Sequence, residues 1–437
     1  MQPQHFIETA YDLMTGDEDA RVCKDIPDAA CQHQPRNAFA YMSANLLNKI
    51  ADELTSAKLI LPWLLSAIGA PAAFSGFLVP IRESGVLLPQ LVVAAAIRRM
   101  PVRKSVWLLG AALSSISLVI MALTVNSVTG ATAGWFIILA LIIFSLARGL
   151  CSVSAKDVLG KTVSKGSRGA IMGYSAGFAG VVTLAFGFYV EWFTHDVATT
   201  QLMTVLLLIS AGLWVLALLS FASIRELPGA TEGGGNALTV ALHSLKLLKT
   251  DAGLRKFITT RILLLSTALA PPFYVMLAQQ HIAGGLSGLG MLIIASGIAS
   301  TISAPIWGRL GDRSSRLVMA LASSIAGVLG IVVFVLVALD VSVVSQSLFH
   351  GVVYLVLITV HSGVRLGRKV YLVDLATAET RATYVAISNT VIGVAMLFGG
   401  LIGIIADVLS VQYLLLLLGV LALVAAISAW RLPEVSE

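Results

Sequence analysis

The sequence predicts an all-α polytopic membrane protein with twelve transmembrane helices, and three features of its composition lead to that prediction. Of the 437 residues, 57% are apolar and 12% are charged, whereas soluble domains carry about 25% charged residues. The apolar residues form many runs of about 18 or more, which is the length that a helix needs to cross a bilayer. Nearly all of the 29 Lys and Arg fall in alternate loops, as they do when those loops are cytoplasmic. The formal charge of +6 therefore reflects membrane topology and indicates no nucleic-acid partner.

The predicted helices follow the apolar runs in chain order. Six lie in the N-terminal half, over residues 43–69, 72–97, 104–125, 132–155, 168–191 and 199–222. Six lie in the C-terminal half, over residues 254–280, 285–308, 315–339, 342–366, 381–406 and 410–430. An even number of spans places both chain ends on one side, and the cationic loops predict that this side is the cytoplasm. Those loops cover residues 98–104, 156–168, 309–316 and 365–381.

The domain organisation that follows has two helical bundles and three connecting or terminal segments. We predict a cytoplasmic acidic tail, an N-terminal six-helix bundle, a cytoplasmic central loop, a C-terminal six-helix bundle and a short C-terminal tail, over residues 1–40, 41–222, 223–253, 254–432 and 433–437. Phe6, Ala10, Leu13 and Met14 have the spacing of a short helix at the membrane surface. The tail is expected to be disordered over residues 17–35.

The three cysteines, Cys23, Cys31 and Cys151, form no disulfide framework, and cytoplasmic thiols are expected to stay reduced. Cys23 and Cys31 with His33 fit no standard zinc spacing. No metal and no cofactor are predicted. The chain also has no nucleotide-binding loop and no hydrolase or zinc-protease motif, so we do not expect an enzyme.

An internal repeat relates the two halves. Shifting the sequence by 213 residues, without gaps, superposes residues of the same type in both loops and helices. The superposed pairs are Arg103 and Arg316, Lys156 and Lys369, Arg168 and Arg381, Ser175 and Ser388, Gly180 and Gly393, Val181 and Val394, Leu184 and Leu397, and Gly187 and Gly400. One offset that serves loops and helices alike predicts two six-helix halves in tandem.

A cationic loop with one acid follows the eighth predicted helix. Gly308, Asp312, Arg313 and Arg316 have the spacing Gly-x3-Asp-Arg-x2-Arg, which resembles the signature loop of the major facilitator superfamily. That resemblance covers about residues 41–432. It implies the fold of twelve-helix secondary transporters, in which a path between the two halves opens alternately to each side of the membrane.

The same resemblance implies a conformational latch at this loop. Asp312 is expected to meet the start of the fifth helix near Arg168, where a helix N-terminus and a cation both attract a carboxylate. The mirror loop has Arg99 in the place of the acid. Only one half is therefore expected to carry the latch.

The first helix carries polar residues that a buried membrane helix does not need. Asn48, Asp52 and Thr55 share one helix face by their spacing, while Glu53 points to a different side. We expect the shared face to line a central cavity. The alternative for Asp52 is a solvated acid at the membrane interface.

Three further charges are predicted at mid-depth in the first helical hairpin, namely Lys58, Arg82 and Glu83. Pro62 has no N–H, so the carbonyl of Lys58 is expected to lack its helical hydrogen bond. Paired charges beside broken backbone are typical of a transporter site at the bilayer midplane. The alternative is a buried clamp that holds the first helix to the second and never contacts substrate.

Two residues in corresponding positions of the halves are candidates for proton coupling beside Asp52. Arg148, in Leu146-Ala-Arg148-Gly149, resembles an arginine of the fourth helix that is linked to proton transfer in proton-coupled members of the family. Its mate under the repeat is His361, whose imidazole can titrate near neutral pH. The alternatives are an arginine that extends to the membrane surface and a histidine that only packs.

These features together predict a secondary active transporter, working as a monomer in an inner membrane and driven by protons. The excess of cations among the candidates leans the small organic solute towards an anion or a zwitterion. A multidrug–proton antiporter is the first alternative, although the fifth helix, with Gly177, Gly180 and Gly187, lacks the Gly-Pro step of the family's drug exporters. A scaffold or receptor that kept the fold without transport is the second.

Overall fold

The computed structural model describes residues 28–88, 99–194, 197–229, 247–282, 288–311, 313–377 and 380–435, with isolated residues at 11, 26, 93, 96, 97 and 286. Within these residues the chain is helical and contains no strand. Ten helices of the described part are long and apolar enough to cross a membrane. The all-α polytopic class is therefore confirmed, and the total of twelve spans stays a prediction.

The helices are labelled so that their numbers match the predicted spans. The N-terminal half contains α1a (Gln34–Leu54), α1b (Ile60–Ala67), α2 (Ala72–Leu87), α3 (Lys104–Ser127), α4 (Gly130–Thr162), α5 (Lys165–Phe193) and α6 (Thr199–Ala222). The C-terminal half contains α7a (Ala252–Leu263), α7b (Leu265–Leu269), α7c (Pro271–His281), α8 (Leu289–Gly311), α9 (Ser315–Ala338), α10 (Ser347–Leu375), α11a (Arg381–Gly399), α11b (Gly403–Val408) and α12 (Val411–Trp430). Short helical turns cover Asp28–Cys31, Leu247–Thr250, Ser342–Ser345 and Gly400–Ile402.

The first span differs from its prediction in where it begins and in being interrupted. Pro35 lies in the first turn of α1a, where the missing N–H costs nothing and the fixed φ favours a helix. The helix therefore begins at Gln34 and not at residue 43, and the disorder expected up to residue 35 is wrong from Asp28 onwards. The span is also interrupted between Leu54 and Ile60.

The N-terminal tail contacts the bundle through a buried tyrosine. The Tyr11 side chain is only 4% exposed and donates to Ser167 Oγ over 2.8 Å, at the start of α5. Gln34 Nε2 donates to Tyr11 Oη over 2.7 Å. Cys31 is disulfide-bonded, which corrects the expectation of reduced thiols for that residue, whereas Cys151 is free and buried. The predicted surface helix at Phe6, Ala10, Leu13 and Met14 lies outside the described residues.

Helices of the two halves cross closely at two glycines that occupy corresponding positions in the internal repeat. A Cβ on Gly400 would lie 2.5 Å from the Phe77 ring of α2, and one on Gly187 would lie 2.9 Å from Ile294 of α8. Residues Gly187 and Gly400 superpose under the 213-residue shift. Both crossings thus place helices of opposite halves closer than a larger side chain permits, as small residues do in membrane helix packing.

Two carboxylates join the halves at the end of the molecule that lies away from the cationic loops, which we call the acidic end. Asp407 ends α11b and accepts hydrogen bonds from the backbone N–H of Ala72 over 2.7 Å and of Ala73 over 2.9 Å. Glu191, near the end of α5, accepts from the N–H of Met291 over 2.9 Å. Each acid of one half thus caps the first turn of a helix in the other half, where the N–H groups lack helical partners and the helix dipole is positive.

Replacing the cap carboxylate should loosen the acidic end. Asp407→Asn keeps one acceptor oxygen but loses the charge, worth about 0.3–1 kcal/mol against a helix N-terminus. Because this contact exists only while the halves meet, we expect a shift of about two- to fivefold towards conformations open at the acidic end. Spin labels at the ends of α2 and α11b would report it as a larger population of long distances.

A suitable control is Asp340→Asn, at the same end of the molecule. Asp340 has φ of +50°, a region that Asn adopts as readily as Asp. Its distance distribution should match that of the parent protein. If Asp407→Asn also matches the parent, the cap does not hold the halves together.

Candidate functional site

A cavity of about 450 Å³ lies between the two halves. It is walled by α1a, the break after it, α2 and α4 on one side, and by α8 and α10 on the other. The residues that line it are Asp52, Glu53, Ser56, Ala57, Lys58, Val79, Arg82, Glu83, Val86, Arg148, Ser152, Ser296, Ser300, Tyr354, Ile358, His361, Ser362 and Arg365. Six of the eight residues predicted for coupling or substrate binding are among them.

Asp52 holds two guanidinium groups in this cavity. Its Oδ1 is 3.3 Å from Arg82 Nη2, and its Oδ2 is 2.5 Å from Arg148 Nη2. The three side chains are 17–22% exposed. One carboxylate thus serves two cations, and the cluster keeps a charge of +1.

Aromatic rings orient the two arginines. The guanidinium carbon of Arg82 lies 5.2 Å from the centroid of the Phe144 ring. That of Arg148 lies 4.7 Å from the centroid of Trp214, which is fully buried. The negative face of an aromatic ring attracts a flat cation, most strongly where water is excluded. Arg148 therefore points into the bundle and does not extend to the membrane surface.

Lys58 is brought into the cavity by the interruption of the first span. Its Nζ is 3.6 Å from Glu83 Oε1 and 3.1 Å from His361 Nε2. Its carbonyl accepts a hydrogen bond from the Tyr354 hydroxyl over 3.2 Å. Pro62 leaves that carbonyl without a helical donor, as predicted, and a residue of the other half supplies the donor instead.

The contact with Lys58 fixes the tautomer of His361. An ammonium group only donates hydrogen bonds, so His361 Nε2 must accept and the imidazole must carry its proton on Nδ1. A protonated imidazole would place an N–H against the ammonium group. His361 is only 6% exposed, so water does not screen that repulsion. Protonation of His361 and this contact between the halves therefore exclude each other.

Of the helix face that was predicted to line the cavity, Asp52 lines it and Asn48 and Thr55 do not. Asn48 Nδ2 donates to the carbonyl of Ala44 and Thr55 Oγ1 to that of Ala51, so both buried side chains bond their own backbone. Glu53, expected to point elsewhere, lines the cavity instead. The helical spacing used for the prediction fails because α1a ends at Leu54, just before Thr55.

The ion pairs between the first two spans include Asp52 besides the three residues of the predicted clamp. Arg82 bonds Asp52, and only Glu83 pairs with Lys58. All of these side chains line the cavity. A clamp and a substrate site are therefore not exclusive here, because the paired groups also face open space.

Serine residues of α8 and an arginine of α10 complete the cavity and were missed by the sequence analysis. A second cavity of about 270 Å³ shares Ser300, Ser362 and Arg365 with the first and extends to Lys369, towards the cationic loops. The missed signal was the spacing of Ser296, Ser300 and Ser303, which places three hydroxyl groups on one face of an apolar helix.

The predicted latch is only partly visible, because Asp312 lies outside the described residues. Arg168 donates to the carbonyls of Val163 over 2.9 Å and Gly160 over 2.8 Å, so it caps the end of α4. Arg316 Nε is 2.8 Å from Glu434 Oε2. Among described atoms none lies within 4 Å of a Cβ placed on Gly308, and Arg313 has a described bond only through its backbone N–H. The latch stays a prediction.

Comparison with known proteins gives a family match and a shared fold. Residues 257–437 match the model of the Major Facilitator Superfamily. No curated protein matches the chain in sequence. The fold resembles a D-xylose–proton symporter (TM-score 0.68, 14% identity, 92% of this chain and 98% of that chain). It also resembles the xylose transporter XylE from E. coli in an inward-open conformation (0.63, 14%, 91% and 96%) and a POT family transporter in complex with 5-aminolevulinic acid (0.66, 12%, 90% and 95%).

Removing the shared carboxylate should destabilise the N-terminal half. Asp52→Asn leaves Arg82 and Arg148 beside each other without a counter-charge, and each charged hydrogen bond is worth about 1.5–3 kcal/mol. Because the groups are partly exposed, we expect a loss of about 1–3 kcal/mol in total. Thermal unfolding of the purified protein would measure it.

The matched control for this change is Glu53→Gln on the neighbouring residue. Glu53 lines the same cavity but has no ion pair within the described part of the chain, so its loss should change stability by no more than about 0.5 kcal/mol. Arg148→Gln added to Asp52→Asn should recover part of the loss. Equal melting temperatures for Asp52→Asn and Glu53→Gln would show that the shared carboxylate is not structural.

Proposed function

We propose that this chain is a transporter of the major facilitator superfamily, whose model matches residues 257–437, and that it moves a small organic solute across the inner membrane by alternating access. The observation that carries the proposal is the charged cavity between the halves, bridged by the contact of Lys58 with His361. Seven charged groups and a histidine around one space at membrane depth are costly unless a solute or water uses that space. A transporter requires such a space, and an enzyme of this family is not expected.

The charge of the cavity supports a lean towards an anionic or zwitterionic solute. Its ionised groups are three acids and four bases, which leaves +1 when His361 is neutral. The acids are Asp52, Glu53 and Glu83, and the bases are Lys58, Arg82, Arg148 and Arg365. The sparse apolar lining is less suited to a bulky lipophilic drug, which favours a polar metabolite over the multidrug alternative.

We place proton coupling at the contact between the halves. In this conformation Lys58 donates to His361 and keeps the imidazole neutral. When the halves separate at this level, Lys58 retains Glu83 in its own half, and His361 is free to take a proton. A group whose proton affinity depends on conformation is what coupling requires. Asp52 and Arg148 stay paired within one half, so their proposed share in coupling is to fix the local charge.

The orientation follows from the cationic loops. We propose that both termini, the central loop and the second cavity face the cytoplasm, because Lys and Arg concentrate at that end. The acidic end, with Asp407 and Glu191, then faces outwards. The described hydrogen bonds between the halves lie at mid-depth and at the acidic end, for example Ser84 Oγ to the carbonyl of Gly393 over 2.8 Å. This distribution supports a conformation closed to the outside.

The test is proton movement in vesicles reconstituted with the purified protein. A pH-sensitive dye inside the vesicles reports protons that move when organic acids, amino acids, sugars or drugs are added. We expect flux with a polar solute. Flux with lipophilic drugs alone would favour the antiporter, and no flux with any compound would favour a scaffold.

His361→Gln should uncouple transport. The amide oxygen of Gln can accept from Lys58 but cannot take a proton, so we expect solute exchange between equal concentrations to continue. Accumulation driven by a pH gradient should fall about tenfold or more, as is typical for the loss of a general acid–base group. Both rates are measured on the same vesicles.

The control is His350→Gln, at another buried histidine. Its Nε2 contacts the carbonyl of Val344 over 2.7 Å, away from the cavity, and its change should leave the ratio of driven to exchange transport unaltered. Undiminished driven accumulation in His361→Gln would remove His361 from the coupling mechanism.

A further inference from the structure

Two charged side chains of the cavity have no ion pair or side-chain hydrogen bond among the described residues, unlike the other five. Asp52 pairs with Arg82 and Arg148, and Lys58 pairs with Glu83. Glu53 and Arg365 also line the cavity, but neither takes part in an ion pair or a side-chain hydrogen bond within the part of the chain that the structure describes. Both are exposed to the cavity.

These two side chains stand on opposite halves. Glu53 lies in the last turn of α1a, and Arg365 lies in α10. Ionisable groups at membrane depth are paired or functional as a rule, because an unpaired charge there is costly. The five paired groups show that the other charges of this cavity have counter-charges supplied by the chain itself. Two opposite charges left open across the cavity therefore indicate that a ligand supplies their partners.

We infer that the transported solute is a zwitterion whose anionic group binds Arg365 and whose ammonium group binds Glu53. This inference rests on the proposed transport function and specifies its substrate class. A guanidinium group suits a carboxylate because it offers two parallel N–H donors. A carboxylate is acceptor-only and suits the three N–H donors of an ammonium group.

A solute with a single charge fits the cavity less well. A simple anion on Arg365 would leave Glu53 facing it across the same space, and like charges repel. A simple cation on Glu53 would meet the surplus of bases and leave Arg365 unpaired. Only a solute with both charges satisfies both groups, and leaving a charged group unsatisfied costs more than a neutral hydrogen bond gains.

The second cavity supports Arg365 as the site of the anionic group. Arg365 lines both cavities, and Lys369 lines the second one. An anionic group that enters from the end with the cationic loops thus passes two bases before it reaches Glu53. Hydroxyl groups of Ser300 and Ser362 line the same passage. A solute that bridges the two halves also binds best when they approach each other, which links occupancy to conformation.

The inference is tested by direct binding to the purified protein with a series of matched probes. The probes are glycine, β-alanine, γ-aminobutyrate and ε-aminohexanoate, each with the corresponding carboxylic acid and amine that lack the second charge. Isothermal calorimetry gives the dissociation constants. We expect one amino acid of suitable length to bind at least about tenfold more tightly than its acid or its amine.

Variants assign the two ends of the solute. Arg365→Gln should weaken the amino acid and the acid alike. Glu53→Gln should weaken the amino acid about tenfold but leave the acid unchanged or bound more tightly, so that the preference for the zwitterion disappears. Lys156→Gln is the control, because Lys156 is an exposed base of the N-terminal half that does not line the cavity. Lys156→Gln should bind the amino acid and the acid as the parent protein does.

Three results would overturn the inference: equal affinity for the acid and the amino acid, an unaltered preference in Glu53→Gln, or no binding of any member of the series. The vesicle assay separates these from a failure of the transport proposal. Solute-driven proton flux with singly charged or neutral compounds would keep the transporter and reject the zwitterion. Binding of the amino acid without any flux would keep the site and reject transport.

Discussion

The N-terminal half depends on one carboxylate that forms ion pairs with two arginines. Asp52, Arg82 and Arg148 lie on α1a, α2 and α4, so a single charge cluster joins three helices that the apolar bilayer alone would not hold in register. Each charge would cost about 2.5–3.5 kcal/mol at the centre of a membrane if it stood alone. Phe144 and Trp214 then orient the two guanidinium groups. Because Asp52, Arg82 and Arg148 bond one another, the cluster sets the shape of the cavity. Glu53 then remains as the acid that we propose to bind a ligand.

The C-terminal half contributes different chemistry to the same cavity. Under the 213-residue shift the mate of Asn48 is Arg261, a buried cation that donates to Ser388 Oγ over 2.5 Å and lies near Phe257. The charge of Arg261 on α7a is thus bound inside its own half and does not line the cavity. The basic groups of α10 that line the cavity are His361, which accepts from Lys58, and Arg365, which has no ion pair or side-chain hydrogen bond in the described part of the chain. The fixed network therefore belongs to one half and the groups that can change partners to the other.

The sequence predicts the fold class well because apolar length and cationic loops are set by the bilayer, independently of the details of packing. It also predicts the free carbonyl of Lys58, because Pro62 removes a donor whatever its surroundings. It fails for Thr55, because periodicity assumes a continuous helix and α1a ends at Leu54. It fails for Glu53, because two consecutive residues of α1a, Asp52 and Glu53, both line the cavity. The sequence also does not predict which ion pairs form. Arg82 lies next to Glu83 in the chain yet bonds Asp52, and only the packing of α2 against α1a decides between the two acids.

The halves contact each other at two levels, and only one of these contacts depends on the protonation of His361. At the acidic end, Asp407 and Glu191 bind backbone N–H groups of the other half, so these caps do not depend on the protonation of His361. At mid-depth, the contact of Lys58 with His361 requires a neutral imidazole. A proton on His361 therefore breaks the mid-depth contact without acting on the caps. Opening of the acidic end therefore needs an input besides the proton. A solute that binds both halves can provide it, because it adds a contact between the halves that the caps do not contain. Under the coupling that we propose, the proton acts on the mid-depth contact, and the caps are assigned to a second input, the solute.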